Sequence, residues 1–222
     1  MTSSTLLLPE VQTVLERLHA LADSRDDTII QRVRADEAAW NAATSEQKAA
    51  MMSDALLPVS REAGQFIYAV ARSISAQCIV EFGTSFGIST IYFAAAVRDN
   101  PRGGLVIGSE LEPSKVAKAN QHLAEARLSA FAEIRAGDAL QTLREVGREV
   151  DLLFLDGWKL IYPDVLKLLL PSLRQGAVVL ADDVTLFPDD VAGYLDYVRN
   201  PANGFVTATL PLGDGIEYSV KL

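Results

Sequence analysis

Cysteine is almost absent from this sequence: Cys78 stands alone, so no disulfide can form within the chain. It sits in the apolar run Cys78-Ile79-Val80, where a buried core thiol is expected rather than a nucleophile. Basic residues are in deficit, 20 Lys and Arg against 29 Asp and Glu, for a formal net charge of -9. No basic stripe occurs, which argues against nucleic acid as a partner, because phosphate binding rests on clustered Lys and Arg that displace counterions. No apolar run reaches the ~20 residues that cross a bilayer. Leu6-Leu7-Leu8 is stopped by Pro9 and preceded by no basic cluster, so it lacks the parts of a signal peptide. A cytoplasmic, reducing location without membrane or nucleic-acid partners is the expectation. Histidine is scarce as well: His19 and His122 fall in helical stretches away from strand tips, and both are expected at the surface with no catalytic role.

What is present is an ordinary globular composition, 49% hydrophobic and 22% charged over 222 residues, suited to one α/β core with a helical extension. Up to about residue 54 the pattern is helical and polar, with Thr44 and Gln47 spaced as a capping box. This divides the chain into an extension over 1–56, with faces for covering a site or pairing two subunits as a homodimer, and a main domain over 57–222. From Ser60 the residues Ala63, Phe66, Ile67, Val70, Ala71 and Ile74 recur at helical spacing. Thereafter Cys78–Phe82, Leu105–Glu110, Phe131–Arg135, Asp151–Asp156 and Ala177–Asp182 alternate with helices. Their continuous apolarity implies burial on both faces, hence a doubly wound, mostly parallel α/β sheet of the Rossmann-like kind. Gly204–Leu212 and Ile216–Leu222, joined only by Gly213-Asp214-Gly215, must form an antiparallel hairpin. That makes seven strands.

Ligands of such sheets sit beyond the carboxyl ends of the strands. The first tip, Glu81-Phe82-Gly83-Thr84-Ser85-Phe86-Gly87-Ile88-Ser89-Thr90, is a glycine-bearing turn opening a helix, which brings backbone N–H groups to a ligand. Its glycines lack the G-x-G-x-x-G spacing of dinucleotide enzymes. The second, Gly108-Ser109-Glu110-Leu111-Glu112-Pro113, offers an acid to ribose hydroxyls. The third, Gly137-Asp138-Ala139, either faces an adenine edge or caps a helix through Asp138. The last two are Leu155-Asp156-Gly157-Trp158-Lys159 and Leu180-Ala181-Asp182-Asp183-Val184. Three carboxylates without His or Cys suit a hard cation such as Mg²⁺, the alternative being helix capping by Asp182 or Asp183.

Together these segments resemble the motif set of the catechol O-methyltransferase-like family of class I S-adenosylmethionine-dependent methyltransferases, over roughly 57–222. The resemblance is most specific in Asp156-Gly157-Trp158-Lys159 paired with Asp182-Asp183. It implies that Glu81, Gly83 and Ser89 contact the methionine part of S-adenosylmethionine and Glu110 its ribose, with Leu111 adjoining. Asp138 and Ala139 flank the adenine, Val59 contacts the cofactor, Leu57 lines the site near the sulfonium, and Trp158 covers the cofactor. Asp156, Asp182 and Asp183 hold Mg²⁺ or another divalent cation, and Lys159 is the general base beside Asp156. The implied partner is a small hydroxylated substrate whose hydroxyl accepts the methyl group.

Two departures bear on that substrate. The family places Asn where this chain has Asp183, and the mammalian catechol enzyme has an acid in the stretch corresponding to Phe205–Pro211, where this chain has none. Leu56, Leu57, Met51 and Met52 are candidates for an apolar lid. Three other readings stay open at this point: a methyltransferase without metal, a non-catalytic S-adenosylmethionine-binding regulatory protein, and an NAD-dependent oxidoreductase.

Overall fold

Seven strands build one sheet in the order β3-β2-β1-β4-β5-β7-β6 in the computed structural model, which describes residues 4–222. The strands are β1 (Cys78–Phe82), β2 (Leu105–Glu110), β3 (Ala132–Ala136), β4 (Val150–Leu155), β5 (Leu173–Ala181), β6 (Phe205–Leu210) and β7 (Ile216–Lys221). The first five pair in parallel, and β7 joins β5 and β6 antiparallel, as the short Gly213-Asp214-Gly215 link demands. Side chains alternate between the faces. Ile79, Leu152, Phe154, Val178 and Leu180 enter one hydrophobic cluster, while Cys78, Val80, Leu153, Leu155, Val179 and Ala181 enter the other. Burial on both sides explains why these strands read as unbroken apolar runs. β3 departs from that pattern because it is an edge, half-exposed.

The helices are α1 (Pro9–Arg34), α2 (Glu37–Ala42), α3 (Ser45–Met51), α4 (Arg61–Ser73), α5 (Ile88–Asp99), α6 (Pro113–Glu125), α7 (Ala139–Thr142), α8 (Tyr162–Leu169) and α9 (Pro188–Arg199). Thr44 and Gln47 form the expected capping box of α3, and Ser60 caps α4 through the Ala63 N–H. α1 shares the first cluster with α4 and α5, through Val11, Val14, Leu15 and Leu18. Ion pairs Arg17–Glu125 and Arg127–Glu10 tie it to α6 and to the second residue beyond its end.

That packing corrects the expectation for the histidines. His19 and His122 are buried, 3% and 4% exposed, because α1 and α6 cover faces that an isolated domain would leave to solvent. His122 bonds the Phe86 carbonyl through Nδ1 at 2.9 Å and stacks on the Phe86 ring. Cys78 is a core thiol as expected, its pKa pushed up to about 11, chiefly by burial. The lid candidates divide: Leu56 and Met52 are buried, whereas Leu57 and Met51 are exposed.

At the end of the sheet remote from the strand tips, Asp151 accepts the Gln77 and Cys78 N–H groups through Oδ2 at 2.7 and 2.9 Å and Arg174 Nε through Oδ1. It starts β1 in register with β4 beside a bulge between β4 and β5. Burial alone would raise its pKa, but the Arg174 side chain and these N–H groups outweigh it and hold the carboxyl below the usual range. An acid lowered in the folded state contributes stability above its unfolded pKa and loses it as pH falls. Asp151→Ala should therefore lower the Tm at pH 7 by about 5–10 °C. The gap to the parent protein should close toward pH 3, as followed by circular dichroism melting.

Candidate active site

The turn after β1 carries left-handed backbone at Gly83 (φ 97°), Ser85 (φ 47°) and Gly87 (φ 84°), which turns the chain from the strand straight into α5. It is held to the tip of β2: Gly83 and Thr84 N–H donate to the Ser109 carbonyl. The Ser85 N–H donates to Glu110 Oε2 at 2.7 Å, and Glu110 Oε1 takes the Glu112 N–H at 2.8 Å. A Cβ at Gly83 would come within 2.6 Å of the Asp156 backbone, so glycine is required by space as well as by φ.

Glu81 is fully buried. Its Oε2 accepts the hydroxyls of Thr84 and Thr90, while Oε1 has no hydrogen-bond partner among the described residues. Burial pushes its pKa up. A buried carboxylate oxygen left single is costly, ~1–3 kcal/mol, unless a donor arrives from outside. Ser89, at the start of α5, and Val59, just ahead of Ser60, line one narrow cleft with Gly83 and Asp156. Asp138 is exposed and caps α7 through the Leu140 N–H. Ala139 is buried against Leu143 and Val146, and Leu111 follows the tip of β2.

Asp156, Asp182 and Asp183 converge, with one carboxylate oxygen from each lying within 4.8 Å of the others. β4 and β5 are neighbours in the sheet, with Leu155 paired to Ala181, and that adjacency is what brings residues 26 apart in sequence together. Asp183 has φ 59°, a left-handed conformation that Asp tolerates better than most residues. Neither Asp182 nor Asp183 caps α9, whose first turn follows Phe187 without a side-chain cap. Burial, then Asp183, pushes the Asp182 carboxyl up to about 7. Asp156 is raised by burial and by both neighbours, against the pull of Lys159.

Lys159 completes the cluster. Nζ stands 2.9 Å from Asp183 Oδ2 and 3.4 Å from Asp156 Oδ1, and 5.2 Å from the Tyr162 ring centre. Burial favours its neutral form, but Tyr162, Asp156 and Asp183 outweigh that and keep it protonated, above the ordinary lysine range. Trp158, half-buried, packs on Trp40 of α2 at 5.8 Å.

A cavity of about 320 Å³ opens beside Asp182 and Asp183, walled by His19 and Asp23 of α1, Arg61 and Glu62 of α4, and Asp214 of the hairpin turn. Several of its residues were not singled out in sequence. Asp214 of the hairpin link lies in the cavity wall, three residues after the acid-free Phe205–Pro211 stretch. Trp40 and His19 lie in the extension, where polar helical periodicity gives no sign of contact with a site.

A parallel sheet in this order, closed by an antiparallel hairpin and carrying acids at the tips of β1 and β2, is the architecture that this chain shares with solved S-adenosylmethionine-binding methyltransferases. Residues 80–184 match the model of a methyltransferase domain. Within the matched region the chain is similar to catechol O-methyltransferases and to other small-molecule O-methyltransferases. Catechol O-methyltransferase of Niastella koreensis is 31% identical over 153 residues, 67% of this chain and 66% of that protein. Catechol O-methyltransferase of Mycobacterium tuberculosis is 32% identical over 129 residues, 58% of this chain and 57% of that one. The matched regions thus span just under two thirds, or less, of these relatives. The O-methyltransferase TomG of Streptomyces achromogenes, involved in tomaymycin synthesis and solved with S-adenosylmethionine, superposes with a TM-score of 0.68 at 26% identity, covering 81% of this chain and 90% of TomG. No helix among the described residues is long and apolar enough to cross a membrane.

The crowding at Gly83 yields a direct test. Gly83→Ala should weaken S-adenosylhomocysteine binding more than 30-fold by titration calorimetry, since the strain falls on the turn itself. Wild-type affinity in that variant would dissociate the turn from the cofactor.

Proposed function

We propose that this protein transfers a methyl group from S-adenosylmethionine to a hydroxyl of a small, catechol-like or polyphenolic aromatic molecule, with a divalent cation held by Asp156, Asp182 and Asp183 and Lys159 as general base. The observation that carries the reading is the convergence of those three carboxylates and Lys159 between the cleft at the β1 turn and the 320 Å³ cavity. The unpaired Glu81 Oε1 fits a cofactor that brings its own ammonium donor. Glu110 keeps lone pairs for ribose hydroxyls, and Val59, Ser89, Leu111, Asp138, Ala139 and Trp158 complete the assigned cofactor contacts. The donor set is all oxygen, which fits Mg²⁺.

S-adenosylmethionine supplies an already activated methyl group, and the cation, when bound, lowers the pKa of a coordinated hydroxyl. The chain's own part is to align the acceptor oxygen and to take its proton. As they stand, Tyr162, Asp156 and Asp183 hold Lys159 protonated. A lysine buried to this degree yields its proton once those carboxylates are compensated otherwise. The 2.9 Å contact of Lys159 with Asp183 also favours a second reading, in which the lysine itself neutralises the acids and the enzyme works without metal.

Chelation separates the two. Treatment with EDTA should lower kcat at least 100-fold with recovery on adding Mg²⁺, whereas full activity in chelator would leave the metal-free reading. Because Asp183 adds a third negative charge, Asp183→Asn should raise the half-saturating Mg²⁺ concentration about tenfold. An unchanged titration would remove Asp183 from the site.

The cavity walls carry Asp23, Glu62 and Asp214 besides Asp182 and Asp183, against Arg61 and a His19 that burial favours in its neutral form. Such walls repel an anion. A catechol with an uncharged ring substituent should show a kcat/KM about tenfold above its carboxylate-bearing analogue at low ionic strength, converging at high salt. Equal values at both salts would exclude these acids from contact with the acceptor.

A further inference from the structure

The segment between α3 and α4, residues 55–60, has no regular secondary structure, yet Ala55, Leu56 and Val59 are buried. It forms one wall of the narrow cleft at the β1 turn: Leu56, Leu57 and Val59 face Gly83, Ser85 and Ser89. A strap without a hydrogen-bonding ladder needs something else to satisfy its backbone and fix its path. Leu57 adds a cost of its own, since it stands at φ 48°, where a side chain with a Cβ loses roughly 1–2 kcal/mol.

Asp26 of α1 meets that need. Its Oδ1 accepts the Leu56 N–H at 3.0 Å and its Oδ2 the Leu57 N–H at 2.8 Å. Here the two successive N–H groups reach one carboxylate at the left-handed Leu57, so the bond pair and the kink are held together. Asp26 is 8% exposed, which strengthens both bonds. From the opposite side the Leu56 carbonyl accepts Ser85 Oγ at 2.8 Å, and that oxygen accepts Lys115 Nζ of α6 at 3.1 Å. The strap is therefore pinned twice, once by the N-terminal helix and once by the turn after β1. Ile29 of α1 packs with Met52 and Ala55 beside the first pin.

We propose that Asp26 is a positioning residue for cofactor binding: by clamping Leu56 and Leu57 it sets the strap wall of the cleft, so the N-terminal helix governs how tightly the cofactor is held. The inference rests on the reading of that cleft as the cofactor site. Asparagine at 26 keeps the size but offers one acceptor oxygen and turns an NH₂ toward the second N–H.

Binding of S-adenosylhomocysteine to the full chain, by titration calorimetry, tests it. Asp26→Asn should raise the Kd about tenfold and raise KM for S-adenosylmethionine, with kcat and the acceptor KM within about threefold of the parent. Asp151→Ala is the comparison, because Asp151 also takes two backbone N–H groups but at the far end of the sheet; it should lose Tm without losing affinity. Equal Kd for Asp26→Asn and the parent would overturn the proposal, as would an equal loss of affinity in Asp151→Ala. Hydrogen exchange on the unaltered protein avoids any folding defect: the Leu56 and Leu57 amides should slow further on saturation with S-adenosylhomocysteine, and no change there would also overturn it. Failure of the parent to bind S-adenosylhomocysteine at all would instead defeat the cofactor reading.

Discussion

A carboxylate that accepts two main-chain N–H groups is the device on which the architecture of this site depends. Glu110 takes those of Ser85 and Glu112, joining the tip of β2 to the turn after β1. Asp26 takes those of Leu56 and Leu57, and Asp151 those of Gln77 and Cys78. In each case a loop or strand start that cannot satisfy its own backbone is fixed by an acid from another element. Charge-assisted bonds of this kind are stronger than neutral ones, and they leave the turns little freedom. The strap, the β1 turn and the β2 tip thus meet at defined distances around one cleft.

The three acids at the tips of β4 and β5 work against stability in the same fold. Asp182 is pushed up to about 7 and Asp156 is raised as well, burial being the leading cause for both. Like charges gathered in a buried place are compensated here by Lys159, which pairs with Asp156 and Asp183. Such an arrangement is poor as a structural element and useful as a site, because any ligand that brings positive charge relieves it. Glu81 repeats the theme with its unpaired Oε1.

The sheet was legible because the parallel strands other than the edge strand β3 are largely buried on both faces, so Cys78–Phe82 and Leu105–Glu110 show as apolar runs with correct ends. β5 starts earlier than its apolar part, at Leu173, because the bulge opposite Asp151 draws Arg174 and Gln175 into the strand. Acids just after strands announced Asp156, Asp182 and Asp183. The residues of α1 and α2 gave no such sign: His19 resembles a surface histidine, and Trp40 sits in a short polar helix, until α1 packs on α5 and α6 and Trp40 meets Trp158.

Local chemistry in the chain by itself determined the seven strands, the hairpin forced by Gly213-Asp214-Gly215, the glycine turn and the acids that follow each strand, since periodicity and backbone tolerance are properties of short segments. Only the tertiary structure decided what encloses the site. The pairing of Asp26 with Leu56, 30 residues away, of Lys115 with Ser85, and the placing of Asp214 beside Asp183 arise from packing between distant elements. Hydrogen bonds and charges act through space, and sequence spacing carries no record of which helix a strap or a carboxylate will meet.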